Sequence, residues 1–163
     1  MVTLTEINER NWLEAARLRV APEQQRFVAP AVGILARAYA LRASNARAFG
    51  ICDGGVLSGL ILVRDLTESP ACYELQQLLV DASVQNRGIA RSALTQLLER
   101  LAAERRFDTV ELCVHKDDAP ALHLYRRLGF VDTGYTDPDL PDCLCRVRHL
   151  DKQPDPSTSG LPH

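Results

Sequence analysis

The stretch LLVDASVQNRGIARSALTQLLERL, residues 78–101, contains a change from strand to helix. An apolar run ends at Val80, a short polar turn follows, and apolar residues then recur at helical spacing. The recurring residues are Ala90, Leu94, Leu97, Leu98 and Leu101. They form a stripe that predicts a helix packed with one face on a sheet.

The turn between this strand and helix has the composition of an anion site. The first N–H groups of a helix lack partners within the helix, and the macrodipole adds about half a positive charge there. Gly88 leaves room for a phosphate, and Ala90 keeps the next turn narrow. Gln85, Arg87 and Arg91 offer side-chain donors. The turn therefore predicts a diphosphate site. The alternative is a tight connection between strand and helix, in which Gly88 only allows the backbone conformation of the turn.

Composition limits the other classes of function. The chain has 163 residues, 46% of them hydrophobic, which predicts one domain with a single core. The net charge of -2 provides no general attraction for nucleic acid or anionic lipid. The longest apolar run, residues 59–63, is too short to cross a bilayer. We therefore expect neither nucleic acid nor a membrane among the partners.

Five cysteines, an odd number without a C-x-x-C pair, follow no secretory leader. This usage favours a reducing, cytoplasmic environment. Cys143 and Cys145 alternate along a predicted strand and would act as structural thiols on one face. A zinc site would need more ligands at closer spacing, so we expect no metal.

The remaining pattern predicts elements in the order β-α-α-β-β-β-α-β-α-β-β, a mixed α/β layer. The domain is expected to span residues 1–150. Residues 151–163, rich in Pro, Ser, Thr and Gly without periodicity, predict a disordered tail.

Three local predictions within the domain concern its boundaries and turns. The first helix is expected to begin at Asn11 with a cap involving Glu14, and the second to restart at Phe27. The sequence Asp-Gly-Gly at residues 53–55 predicts a hairpin turn. Residues 130–135 predict a strand.

A second motif follows the predicted strand TVELCV, in DDAPALHLYRRLGFVDTGY at residues 117–135. Together, the two segments resemble the GCN5-related N-acetyltransferase (GNAT) superfamily. The turn matches its Q/R-x-x-G-x-G/A acetyl-coenzyme A loop, and the later segment matches its A-x-x-L-Y-x-x-L-G-F motif. The resemblance implies the GNAT fold, a mixed, mostly antiparallel sheet of about seven strands flanked by four helices. It also implies an acetyl-coenzyme A dependent N-acetyltransferase.

The resemblance also implies roles for individual residues. The main chain at Leu78 and Val80 would pair with the pantetheine arm like a neighbouring strand. Tyr125 would approach the coenzyme sulfur, and Asp118 stands on the cofactor loop where the family usually has Asn. The pyrophosphate would be bound by the turn, at Gln85, Asn86, Arg87, Gly88, Ile89, Ala90 and Arg91.

The N-terminal half resembles the bacterial spermine/spermidine acetyltransferase subgroup, which implies a polyamine acceptor. The shared pattern V-x-x-x-Q-x-x-F-V matches Val20, Gln24, Phe27 and Val28, with Gln25 as an alternative register. The subgroup commonly shows Asn and Ser where this chain has Ala31 and Ile34. Other acceptors stay open: a protein N-terminus, lysine, an amino acid or an aminoglycoside. A non-catalytic acyl-coenzyme A binding module is the third interpretation, and a homodimer is compatible with the resemblance.

Acetyl transfer to an amine requires a proton acceptor. At neutral pH only about one alkyl amine in a thousand is unprotonated, because its pKa is about 10.4. Glu74, expected on the same strand face as Leu78 and Val80, is the candidate for a proton relay; a solvated strand acid is the alternative. Tyr125 is expected to donate a hydrogen bond to the departing sulfur, with a packed aromatic as the alternative. His115 has no partner acid at a diagnostic spacing and is interpreted as a bystander.

Overall fold

The structure is a computed structural model that describes residues 1–151. The predicted tail, except for its first residue, lies outside the described residues. The strands are β1 (Val2–Glu6), β2 (Arg47–Asp53), β3 (Val56–Leu66), β4 (Cys72–Val80), β5 (Thr109–His115), β6 (Val131–Asp132) and β7 (Cys143–His149). The helices are α1 (Trp12–Ala16), α2 (Ala31–Ala40), α3 (Ile89–Glu104) and α4 (Ala119–Arg127), with short 3₁₀ turns at Pro22–Gln24, Arg42–Ser44 and Ala82–Val84.

The seven strands form one sheet in the order β1-β2-β3-β4-β5-β7-β6. All neighbours are antiparallel except β4 and β5. For residues 1–151, the predicted fold of seven mostly antiparallel strands with four helices is confirmed. The parallel pair is short, because β4 and β5 pair only at Tyr73 with Val110 and at Glu74 with Glu111. Beyond these two pairs the strands separate, and a cleft opens between them.

A hydrophobic core lies on each face of the sheet, so the predicted single core is wrong: the sheet separates two cores. Helices α3 and α4 cover one face, and α1 and α2 cover the other. The buried stripe of α3 begins at Ile89, which is 3% exposed, whereas Ala90 is only half-buried. The stripe is therefore shifted by one residue at its start from the predicted one. None of the helices within residues 1–151 is long and apolar enough to cross a membrane.

The first two helices are shorter than predicted. Asn11 does not cap α1, because its side-chain oxygen accepts from the Asn8 amide at 2.8 Å and its nitrogen donates to the Glu6 carbonyl at 2.9 Å. Helix α2 begins at Ala31 rather than at Phe27. Pro30 explains the later start, since a proline disfavours helical backbone in the residue before it. The segment between the two helices is therefore mostly irregular.

An irregularity in β4 changes which of its side chains share a face. Leu62 pairs with Gln77, but the next residue of β3, Val63, pairs with Leu75, so Gln76 is an extra residue in β4. A bulge of one residue reverses the alternation of side chains. Glu74 therefore lies on the face opposite to Leu78 and Val80, and the predicted shared face is wrong.

The predicted hairpin turn is confirmed, whereas the strand predicted at residues 130–135 is shorter than expected. Gly54 and Gly55 have φ values of +57° and +83° in the predicted hairpin turn. Helix α4 ends before Gly129, whose φ is +85°. The predicted strand at residues 130–135 is only two residues long, Val131–Asp132.

Candidate active site

A cleft of about 550 Å³ occupies the opening between β4 and β5. Its walls are β4 from Leu75 onward, the end of β5, the turn that leads into α3, the side of α4, and the segment between α1 and α2. The sequence-predicted turn and the Tyr125 segment, which are about 40 residues apart in the chain, thus face one space.

The turn before α3 presents a row of amides without partners. Asn86 and Gly88 have positive φ values of 63° and 76°, and the first hydrogen bond of the helix runs from the Ser92 amide to the Gly88 carbonyl at 3.1 Å. No hydrogen bond within residues 1–151 uses the amides of Gln85, Asn86, Arg87, Gly88, Ile89, Ala90 and Arg91. A Cβ at Gly88 would meet no atom within 4 Å, so this side of the turn is open. Free N–H groups at a helix N-terminus are suited to binding an anion.

The side chain of Gln85 is used within the protein, contrary to the expectation that it donates to a ligand. Its Nε2 donates to the Val80 carbonyl at 2.9 Å and to Oε1 of Gln24 at 2.7 Å. Arg91 lines the cleft and, like Arg87, forms no ion pair within residues 1–151. The two arginines therefore remain as the side-chain donors of the turn.

The last residues of β4 have a free edge toward the cleft. The Asp81 amide donates to the Ser58 carbonyl beside β3 at 2.8 Å. Main-chain groups of a strand alternate in direction, so those of Val80 and Leu78 point to the opposite edge. The Val80 carbonyl there already accepts from Gln85. The Val80 amide and the main chain of Leu78 remain open to a ligand.

Tyr125 on α4 lines the cleft and is 9% exposed. Its ring packs edge-on against Phe130, with 5.7 Å between the ring centroids. Its hydroxyl has no hydrogen-bond partner within residues 1–151. Burial raises the pKa of Tyr125, and the nearby Asp118 carboxylate raises it further. The phenol therefore stays protonated and can donate a hydrogen bond into the cleft.

Asp118 lies at the start of α4, where its carboxylate accepts from the Ala121 amide at 3.3 Å. Burial raises the pKa of Asp118, although the Ala121 bond and the charges of His115 and Arg26 lower it in part. Asp118 also lines the cleft. The structure therefore gives this residue a role as a helix cap.

Glu74 is not brought together with the other predicted site residues. Its carboxylate forms an ion pair with Arg64 on the neighbouring strand, and Glu74 is not among the residues that line the cleft.

His115, interpreted as a bystander, lies in the cleft wall. Its ring packs against Phe27 with 5.1 Å between centroids, and its Nδ1 accepts from the Asp117 amide at 3.1 Å. The ring proton of neutral His115 is therefore on Nε2. The sequence shows only that His115 directly follows the predicted strand TVELCV; the separation of this strand from β4, which brings His115 to the cleft, is seen only in the structure.

Cys113 also lines the cleft, with its sulfur 3.0 Å from the sulfur of Cys145. Cys113 as a residue is exposed, but partial burial of its sulfur, then the contact with Cys145, raises its pKa to about 12. Its reactive thiolate is therefore scarce near neutral pH. Within residues 1–151, no group of three or more His, Cys, Asp or Glu is arranged to hold a metal ion.

Comparisons with known proteins agree with this arrangement. Residues 10–130 match the model of the acetyltransferase (GNAT) family. The chain is 31% identical over 80 residues to the L-amino acid N-acetyltransferase AaaT of Escherichia coli and 37% identical over 86 residues to the N-alpha-acetyltransferase RimI of Mycobacterium tuberculosis. The matches cover 48% and 52% of this chain, and the chain spans about half the length of these relatives, 48% and 52%.

Among solved structures, the fold is similar to a spermidine N-acetyltransferase from Vibrio cholerae, determined in complex with CoA and spermine. The TM-score is 0.72 at 18% identity, over 93% of this chain and 96% of the other. At this identity the likeness concerns the fold alone.

Proposed function

This chain belongs to the acetyltransferase (GNAT) family, and on that premise we propose that it transfers an acetyl group from acetyl-CoA to a primary amine of a small molecule. The observation that carries the proposal is the row of free amides from Gln85 to Arg91 at the edge of the cleft. An anionic diphosphate fits these donors, and the open side of Gly88 gives it room.

The free edge of β4 suits the arm of the same ligand. The amide groups of pantetheine can pair with the Leu78 main chain and the Val80 amide, as an added strand would. Arg91, at the start of α3, is placed to contact a phosphate. Bound in this way, acetyl-CoA supplies an activated acetyl thioester to the cleft.

Tyr125 is placed to donate a hydrogen bond to a departing thiolate, while the proton that the sulfur finally takes is the one released by the attacking amine. Tyr125 lines the cleft, its hydroxyl has no hydrogen-bond partner within residues 1–151, and its raised pKa keeps the phenol protonated. Hydrogen bonds to charged acceptors are about twice as strong as those to neutral ones, so Tyr125 would stabilise the sulfur most when it becomes negative. Glu74 is not part of the proposed mechanism, because Arg64 holds its carboxylate outside the cleft lining.

The lining of the cleft favours an acceptor of low charge. Glu23 and Asp118 are the only carboxylates among the residues that line it within residues 1–151, and Asp118 caps a helix. Phe27, Val28 and Gln77 provide a mostly neutral surface. An amino acid or a comparable amine meets this surface without leaving several charges unpaired. A polyamine is the second candidate, favoured by the V-x-x-x-Q-x-x-F-V pattern and by the exposed carboxylate of Glu23.

An acceptor panel tests the proposal. The protein is incubated with acetyl-CoA and, separately, amino acids, peptides, spermidine, spermine and aminoglycosides, and the release of CoA thiol is followed. We expect turnover with at least one small primary amine and calorimetric binding of CoA. Release with spermidine or spermine alone would favour the polyamine candidate. CoA binding without release for any acceptor would contradict an enzymatic function and indicate a binding module.

A further inference from the structure

The segment between α1 and α2 is attached to three other walls of the cleft. It has little regular structure apart from the 3₁₀ turn at Pro22–Gln24, so its contacts with the rest of the molecule determine its position. The Arg19 amide donates to the Asp81 carboxylate at 2.9 Å, the Ala82 amide donates to the Arg19 carbonyl at 2.8 Å, and Arg26 forms an ion pair with Asp117. The three attachments inside the cleft are the Phe27 ring against His115 at 5.1 Å, the Ala29 amide to Oε1 of Gln77 at 3.0 Å, and the side chain of Gln24 against that of Gln85. The last of the three joins this segment to the turn of free amides.

Gln24 and Gln85 form a reciprocal amide pair. Nε2 of Gln24 donates to Oε1 of Gln85 at 3.0 Å, and Nε2 of Gln85 donates to Oε1 of Gln24 at 2.7 Å. The orientation of Gln85 is fixed, because its Nε2 also donates to the Val80 carbonyl. The orientation of Gln24 is fixed too, because its Oε1 also accepts from the Ala21 amide at 3.2 Å. Both side chains are half-buried, so water competes with these bonds less than at the surface.

We propose that Gln24 is a positioning residue that couples the acceptor wall of the cleft to the coenzyme turn. A diphosphate bound by the turn restrains Gln85, and Gln85 holds Gln24 and the segment around it. Coenzyme binding thereby increases the affinity for the acceptor, and the same coupling works in reverse. This inference rests on the proposed function, since it requires a coenzyme at the turn and an acceptor in the cleft.

The Gln24→Ala variant tests the coupling, with Gln25→Ala as its matched control. Gln25 is an exposed neighbour whose side chain has no hydrogen bond within residues 1–151. We expect Gln24→Ala to raise the acceptor KM about five- to tenfold, from the loss of the two hydrogen bonds to Gln85 and of the bond from the Ala21 amide. Its dissociation constant for CoA should stay within about twofold of the wild type, because the turn amides and the Gln85–Val80 bond remain. Gln25→Ala should change neither quantity.

A second variant separates coupling from damage to the fold. Gln85→Ala removes the bond to Val80 as well, and it should weaken both CoA binding and acceptor binding. Adding Gln24→Ala to Gln85→Ala should then raise the acceptor KM by a smaller factor than Gln24→Ala does in the wild type, because the contact between the two side chains is already lost. Calorimetry with the amine that turns over fastest in the acceptor panel, in the presence and absence of CoA, should show an increase in affinity for the wild type that Gln24→Ala reduces.

Two results would overturn the inference. One is an acceptor KM in Gln24→Ala equal to that in Gln25→Ala. The other is an equal loss of CoA binding, kcat and thermal midpoint in Gln24→Ala, which would indicate a purely structural role. A wild-type protein without CoA binding or turnover would instead refute the proposed function itself, so the two failures are distinguishable.

Discussion

The two ends of β4 differ in how completely their polar groups are bonded. At the end near Tyr73, the strand is paired on both sides and its charged side chains have partners. At the end near Val80, within residues 1–151, it pairs with β3 alone and continues into a turn whose amides have no hydrogen-bond partner. A folded chain rarely leaves buried polar groups without partners. The incomplete end of β4 is therefore where a ligand is expected, and the complete end is where the fold is stabilised.

Two tyrosines show the same difference. Tyr73 is fully buried; its hydroxyl donates to the Leu101 carbonyl at 3.2 Å and accepts from the Arg106 amide at 3.3 Å. Tyr125 is nearly as buried, yet its hydroxyl has no partner within residues 1–151. Burial is the main cause that raises the pKa of both phenols. The hydroxyl at the incomplete end is thus the one available for chemistry.

Tyr125→Phe is expected to have the largest effect on activity. The substitution removes one hydroxyl from the cleft and leaves the packing against Phe130 intact. Loss of a group that donates in the transition state should lower kcat about 100-fold. Calorimetry should show an unchanged dissociation constant for CoA.

The raised pKa of Tyr125 also predicts that, in the wild type, any loss of kcat from ionisation of Tyr125 begins above about pH 10.

Tyr73→Phe is the control for Tyr125→Phe. It should lower the free energy of unfolding by about 1–2 kcal/mol, because buried main-chain groups lose a partner, and leave kcat unchanged. Full turnover by Tyr125→Phe would remove the proposed role of that hydroxyl. An equal loss of kcat in both variants would remove the distinction between the two tyrosines.

Arg106→Ala tests the complete end of β4, near Tyr73. Arg106 forms ion pairs with the buried Asp65 and with Glu104. The substitution leaves the Asp65 carboxylate with the Asn45 side chain, at 3.1 Å, as its remaining hydrogen-bond donor. We expect the free energy of unfolding in urea to fall by about 2 kcal/mol, less than for a fully buried pair because Arg106 is partly exposed.

The corresponding control is Arg10→Ala, which removes an exposed arginine without an ion pair within residues 1–151. It should change stability by less than about 0.5 kcal/mol. CoA binding should be normal in both variants. Weaker CoA binding by Arg106→Ala would show that the two ends of β4 are not independent.

Gly88→Ala is expected to weaken CoA binding about tenfold, since the added methyl group occupies the space of a bound phosphate. The left-handed backbone at Gly88, with φ of +76°, should also cost about 1 kcal/mol of stability. Gly54→Ala is the matched control, because Gly54 also has a positive φ and open space around it. A comparable loss of stability in both variants, with weaker CoA binding only in Gly88→Ala, is the expected result.

The order of the elements could be predicted from the sequence because periodicity and Gly turns act locally. The hairpin at Gly54 and Gly55 and the helix that follows Gly88 are both of this kind. The predicted boundaries of α1 and α2 were less accurate. Helix α2 begins only after Pro30, and the Asn11 side chain bonds to main-chain groups of Asn8 and Glu6 instead of capping α1.

Only the parts of the site that belong to short sequence motifs could be predicted from the sequence. The turn amides and Tyr125 were identified from two short segments, and the structure places them around one cleft. The contact of Gln24 with Gln85 joins residues 61 positions apart, and no local pattern specifies it. The bulge at Gln76 depends on pairing between strands, and it moved Glu74 to the opposite face.

Glu74→Gln should have the smallest effect on activity. Because Arg64 holds the Glu74 carboxylate outside the cleft lining, neutralising it should change kcat and the acceptor KM by less than about threefold. The loss of the partly exposed ion pair should lower the free energy of unfolding by about 1 kcal/mol or less. A pH profile of kcat/KM that loses its acidic limb in Glu74→Gln would contradict this expectation. Such a result would assign the proton relay to Glu74 and extend the functional part of β4 into its fully paired end.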